Sequence, residues 1–271
     1  MKNTLKYLTI ASFAILATAC SKNEETNTTP TNKVKVGEAY AIGAATKIQL
    51  WADADLSTGY NNLYVTALDS ASNQQKTDAT FNIKPMMTMT MASGMVMKHS
   101  SPFEEANASA KKDGLTPAAA VFSMPSSNSG FWQMEVTLNN NKKAIISVTV
   151  KEPKESRLIL VRSVPDNTTY MVSLLPNPNY KIGANDFELL ISKRVNGMTF
   201  TPVNDFSVEI TPEMPDMNHG SPNNVNPVFT KNGRYKGKVN FTMTGYWKVN
   251  LKIKDASGAT LGNDTAFKII F

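Results

Sequence analysis

From Phe81 onward the chain alternates apolar and polar residues with a period of two. Phe81, Ile83, Pro85, Met87, Met89 and Met91 share one parity, and Asn82, Lys84, Thr88 and Thr90 share the other. Side chains on a strand point alternately to opposite faces, so this pattern predicts a half-buried strand. Phe206, Val208, Ile210, Pro212 and Met214 repeat the pattern. Similar short runs predict strands at 47–51, 63–68, 79–91, 118–123, 131–138 and 144–150. A second set is expected at 170–175, 187–192, 206–214, 225–229, 235–242, 247–253 and 265–271. A further run at 158–163 is expected to close the first set. Asn, Gly, Pro and Ser punctuate the runs, and no long period of 3.6 residues appears. Such spacing predicts an all-β chain of two tandem immunoglobulin-like β-sandwich domains.

The two sets read as copies of one module, and internal repeats of this kind signal tandem architecture. Met97-Lys98-His99-Ser100-Ser101-Pro102 matches Met217-Asn218-His219-Gly220-Ser221-Pro222, and Ile83-Lys84-Pro85 matches Ile210-Thr211-Pro212. Tyr40 to Ala44 reads against Tyr180 to Ala184. Gly130-Phe131-Trp132 reads against Gly233-Arg234-Tyr235, and at that offset the apolar positions from Val136 to Val150 fall on those from Val239 to Ile253. The domains are expected at 36–155 and 156–271, with the boundary between Pro153 and Pro165.

The first residues differ in kind. Lys2 and Lys6 precede an apolar run from Tyr7 to Ala17, too short to span a bilayer, which predicts a signal peptide over 1–19. It ends Leu16-Ala17-Thr18-Ala19-Cys20, and small residues before the single cysteine resemble a bacterial lipobox, although Leu stands one place early. Cys20 is then the acylated N-terminus, and no thiol or disulfide remains. Residues 20–35 are polar and read as a tether reaching roughly 20 Å. Ser21 after the cysteine resembles the outer-membrane sorting rule. The expected location is therefore the outer membrane, lipid-anchored, facing the periplasm or the cell surface. The formal charge of +6 includes Lys2 and Lys6, and the remaining basic residues form no run that suggests nucleic acid.

Candidate chemistry centres on the two histidines, the only ones in the chain, and on methionine, of which there are 14. Met217 and His219 follow Pro215 among Asp, Asn, Gly and Ser, which predicts a loop outside the strand pattern. In an extended loop, residues two apart point the same way, so the two converge on one ion. Met97 and His99 repeat the spacing, with Met95 in step. Met214 is either a third ligand or the last core residue of its strand, and Met87 and Met89 favour the core. Thioethers and imidazole suit Cu(I), with Cu(II) as the alternative. Zinc wants more His, Cys or carboxylate ligands, and calcium or magnesium wants an acidic loop that the chain lacks. Neither histidine sits in a nucleophile motif and no Gly-rich phosphate loop is present, so a non-enzyme is expected.

Several separated motifs in the second copy resemble the FixH/YtkA-like domain family. They are Tyr180-Lys181-Ile182-Gly183, the strand end Met214 to His219, the run Gly233 to Val239, and Met243-Thr244-Gly245-Tyr246-Trp247. The resemblance implies an immunoglobulin-like sandwich and a link to copper or respiratory-oxidase assembly, hence an envelope protein partner. The first copy departs from the pattern. At the offset above it has Met134 for Gly237, Ala144 for Trp247, and extra residues around His99.

The expectation is an envelope lipoprotein that binds copper at Met214, Met217 and His219, and again at Met95, Met97 and His99, for delivery or sequestration. The alternative is a non-catalytic lipoprotein whose methionine loops are protein-contact surfaces. Anchoring is tested by fractionation. Cys20→Ala is expected to move the protein from the membrane to the soluble fraction, and an unchanged membrane fraction would refute the lipoprotein assignment.

Overall fold

The computed structural model describes residues 30, 32–163, 167–262 and 265–271. The expected signal peptide, Cys20 and most of the tether lie outside the described residues. The chain is all-β. Its first module comprises β1 (Val34–Tyr40), β2 (Thr46–Ala52), β3 (Gly59–Asp69), β4 (Phe81–Thr90), β5 (Val96–Ser100), β6 (Phe103–Glu104), β7 (Thr116–Phe122), β8 (Gly130–Leu138) and β9 (Lys142–Val148). These form two antiparallel sheets, in order β1-β2-β3-β7-β6 and β5-β4-β8-β9. Ile48, Leu50, Leu63, Val65, Ile83, Met87, Phe122, Trp132 and Val136 fill the space between them.

The second module repeats this plan with β10 (Leu158–Arg162), β11 (Thr169–Leu174), β12 (Gly183–Arg194), β13 (Phe200–Pro202), β14 (Ser207–Met214), β15 (His219–Gly220), β16 (Val225–Lys231), β17 (Arg234–Phe241), β18 (Tyr246–Lys254), β19 (Thr260–Leu261) and β20 (Ala266–Ile270). One sheet runs β10-β11-β12-β17-β16, with β13 on β12. The other runs β15-β14-β18, with β19 and β20 on β18. Phe187, Leu189, Val208, Ile210, Met214, Tyr235, Phe241 and Trp247 lie in its core. The run at 158–163, expected to close the first module, is β10 and pairs with β11 instead. Val34 and Lys35, assigned to the tether, already belong to β1.

Strand pairing fixes how the copies correspond, and it shifts part of the expected alignment. Gly59 pairs with Phe122 as Gly183 pairs with Phe241. Both glycines have positive φ, 95° and 98°, where a side chain would be strained. Each is locked by an asparagine two residues on. Asn61 Nδ2 donates to the carbonyls of Ser57 and Gly59, and Asn185 Nδ2 to those of Lys181 and Gly183. The counterpart of Tyr180 to Gly183 is therefore Leu56 to Gly59, not Tyr40 to Gly43. Likewise β8 occupies the place of β18, so Gly130-Phe131-Trp132 corresponds to Gly245-Tyr246-Trp247, not to Gly233-Arg234-Tyr235. The match at Ile83 and Ile210 stands, because β4 and β14 hold the same place. The first module thus has its own tryptophan, Trp132, and the supposed replacement of Trp247 by Ala144 disappears. Gly237 faces Ala118 across the alignment, not Met134.

The modules pack against each other through outward side chains. Tyr60, Ala119 and Val121 of the first meet Met171 and Leu190 of the second, all buried. At the rim, Arg234 Nε donates to Glu104 Oε1 at 2.7 Å and Nη2 to Glu104 Oε2, which also accepts from the Tyr60 hydroxyl. Burial pushes the Glu104 carboxyl up, but the hydrogen bonds from Arg234 and Tyr60 outweigh it and hold the group below the ordinary glutamate range.

A lowered folded-state value means the clamp stabilises above the unfolded glutamate value and is lost as pH falls through the folded one. Thermal melts are expected to show an acid-side loss of stability that Glu104→Gln diminishes, while costing about 1–3 kcal/mol near neutrality by stranding Arg234. An acid limb identical in the variant would show that the clamp does not carry this dependence.

Candidate functional site

Antiparallel pairing places residues of facing strands directly opposite one another, with Cβ atoms about 4.5–5.5 Å apart and side chains on one face. In the first module Met87 on β4 is opposite both His99 on β5 and Trp132 on β8. In the second, Met214 on β14 is opposite His219 on β15. Trp247 lies one step beyond the Glu213–Lys248 pair. Each module therefore lays a histidine, a methionine and a tryptophan in one cross-strand row, on the face turned to the core. Met87 and Met214 are 1% and 4% exposed, and both tryptophans are fully buried.

The details repeat. Each imidazole stands edge-on to its tryptophan, with ring centroids 5.6 Å apart for His99–Trp132 and 5.5 Å for His219–Trp247, and interplanar angles of 89°. Such aromatic pairs contribute about 0.5–1.5 kcal/mol beyond the area they bury. The tryptophan indole N–H donates to a methionine carbonyl in both, Met124 at 2.9 Å and Met243 at 3.0 Å. Close approach is allowed by a glycine two residues before each tryptophan. A Cβ at Gly130 would lie 2.6 Å from the Met87 terminal methyl, and one at Gly245 would lie 3.3 Å from that of Met214.

The histidine nitrogens are unequally used. His99 Nδ1 is 3.0 Å from the Ser100 carbonyl, and His219 Nδ1 is 2.9 Å from the Gly220 carbonyl. A carbonyl only accepts, so Nδ1 carries the proton in both rings. Nε2 of each is buried and has no hydrogen-bond partner among the described residues. In the neutral ring that atom holds a lone pair. A backbone carbonyl fixing one ring nitrogen while the other stays available is the arrangement that metal-binding histidines use.

The expected ligands fall in different places. Met214 and His219 are brought together, as are Met87 and His99; Met87 lies in the core as expected, and Met214 is the last, buried residue of its strand. Met97 and His99 are not on a loop but on β5, two apart and on one face, with Met97 opposite Met89. Met217 and His219 do not lie on extended chain. Pro215–Met217 is a 3-10 turn, and Asn218 is left-handed at φ 51°. The convergence expected from an extended loop therefore fails there, and Met217 is 59% exposed. Met95 sits at the hairpin tip, 57% exposed. Sequence reasoning missed Met87 as the partner of His99 and missed Trp132 and Trp247 as the rings beneath the histidines. The shared Gly-x-Trp spacing was the available signal. Among the described residues no three His, Cys, Asp or Glu side chains gather in a way that suits a hard or borderline ion. A cleft of about 640 Å³ between the modules touches Tyr60, Glu104, Phe200 and Arg234, and neither histidine lines it.

Comparison with known proteins bears on the second module. Residues 165–252 match the family model described as YtkA-like, and this part of the chain is a YtkA-like domain. No curated protein matches the chain. Among solved structures, a DUF4785 family protein from Legionella pneumophila aligns over 84% of this chain at 9% identity and a TM-score of 0.25. The chain spans 56% of that protein's length.

The ring assignment can be checked directly. Long-range proton–nitrogen spectra are expected to show both neutral histidines protonated on Nδ1, with Nε2 bare. An Nε2-protonated ring in either module would overturn the assignment.

Proposed function

We propose that this YtkA-like protein is a non-enzymatic envelope lipoprotein that holds Cu(I) through one histidine–methionine pair in each module, for delivery or sequestration. His219 with Met214, and His99 with Met87, are the donors. The observation that carries this reading is a buried Nε2 without a protein partner, on a histidine whose cross-strand partner is a methionine, present twice. A buried acceptor without a partner costs about 1–3 kcal/mol, which an ordered water or a bound ion relieves. Imidazole and thioether together are a soft donor set suited to Cu(I). Bound there, the ion would supply a transferable charge, while the protein supplies the fixed ring and the apolar wall that limits water.

The same reading extends to location. A lipid on Cys20 would hold the modules at the outer membrane, within reach of an envelope partner in copper handling or oxidase assembly. The chain supports that part through its N-terminal sequence alone.

Competition against a moderate-affinity Cu(I) chelator tests the proposal. Wild-type protein is expected to bind at both pairs. His219→Ala should abolish one site, and Met214→Leu should weaken it by at least about tenfold, the loss seen even for residues that only support a ligand. Met214→Leu should leave the fold within about 1.5 kcal/mol of wild type, since the two side chains exchange well in cores. His219→Ala should cost about 1 kcal/mol through the lost contact with Trp247. Wild-type protein that takes no Cu(I) from the chelator would end the copper reading.

A further inference from the structure

The two modules share the inner row but differ in the hairpin above it. From Met214 to His219 the chain needs only a 3-10 turn, whereas between Met87 and His99 it extends into a longer hairpin. That extension carries methionine at every position of one face. Met89 is opposite Met97, and Met91 N–H donates to the Met95 carbonyl to close the tip. Met91, Met95 and Met97 are 40%, 57% and 47% exposed, and Met89 is partly buried.

Ordinary packing does not account for this. Met89 packs against the edge of the core, but the exposed Met91, Met95 and Met97 have no core to fill, and strands favour branched or aromatic side chains over methionine. Membrane insertion fits poorly, because residues 86–100 contain no Trp, Phe or Leu to seat in an interface. The same stretch holds no Asp or Glu, so hard cations have no ligand there. Thioethers are its only strong donors towards a metal besides His99.

We infer that the tip of the β4–β5 hairpin is a separate soft-cation site, in which the thioethers of Met89, Met91, Met95 and Met97 take Cu(I) or Ag(I) at the surface. Opposite residues stand about 4.5–5.5 Å apart, and same-face neighbours along a strand about 7 Å apart. Four flexible side chains at that spacing can close on one ion. The site lies directly outward of Met87 and His99 along the same face, so an ion held there is next to the inner pair of the first module. Its donors are thioethers alone, and it does not depend on the histidine reading.

The full chain labelled with ¹³C at the methionine methyls, titrated with Ag(I), provides the test. The methyl signals of Met89, Met91, Met95 and Met97 are expected to shift and saturate together, in wild type and in His99→Ala alike. A triple variant, Met91→Leu with Met95→Leu and Met97→Leu, should lose one bound equivalent without loss of fold, since all three side chains are exposed. Unmoved tip signals, or an undiminished stoichiometry in the triple variant, would overturn the site and leave the tip as a protein-contact surface. Tip binding that survives while His99 and His219 take up no ion would sink the histidine sites and leave this one standing. Tip failure with both histidine sites intact would do the reverse.

Discussion

Two backbone carbonyls, those of Ser100 and Gly220, decide what the histidines can do. Each accepts from Nδ1, which forces the proton onto that nitrogen and empties Nε2. The indole standing against each ring then fixes its tilt. Neither constraint works unless β5 and β15 lie along the edge of their sheets with the histidine turned inward. That depends in turn on β4 and β14 carrying an apolar face to pair against. The sandwich is thus the frame that holds a surface residue type half-sheltered, with one ring nitrogen fixed.

The alternation of β4 and β14 was legible because period two is a direct image of the pleat. Met87 and Met214 follow it to the last buried turn. The same property misled the alignment of the copies. Any two inward-facing strands agree in phase, so β8 matches β17 almost as well as it matches β18. Period two fixes the face but not which strand is which. The ambiguity is broken only by features that are not periodic: the positive-φ glycines at 59 and 183 with their asparagines, and the glycine two places before each tryptophan.

Other elements were hidden for different reasons. Lys98, His99 and Ser100 look like loop residues, yet β5 is an edge strand, where polar side chains and one unpaired side are tolerated. Residues 118–122 and 187–191 are rich in apolar side chains on both parities. That is the mark of a strand buried on both faces. Here one face meets the module's own core, and the other, through Ala119, Val121 and Leu190, meets the neighbouring module. Intermodule packing was therefore written in the sequence as an excess of hydrophobicity over what a one-sided strand needs. Arg234 and Glu104 gave no such signal, because their pairing spans distant parts of the chain.

The edge-on contact of histidine with tryptophan occurs twice. One orphaned ring nitrogen against a tryptophan is readily dismissed as an accident of packing. The surroundings of the two rings are not the same, however. His99 adjoins a long hairpin, and Ser100 N–H donates to the Gly197 carbonyl of the other module at 2.9 Å. His219 follows a short turn and a left-handed Asn218. In spite of that, the acceptor, the edge-on ring, the opposed methionine and the indole–carbonyl bond recur in both. Divergent loops free to drift would be expected to lose an arrangement that leaves a buried lone pair unpaired at about 1–3 kcal/mol each time. What the two modules share is therefore the geometry around the ring, a fixed Nδ1 proton and an Nε2 left without a protein partner among the described residues, held while the flanking structure changes.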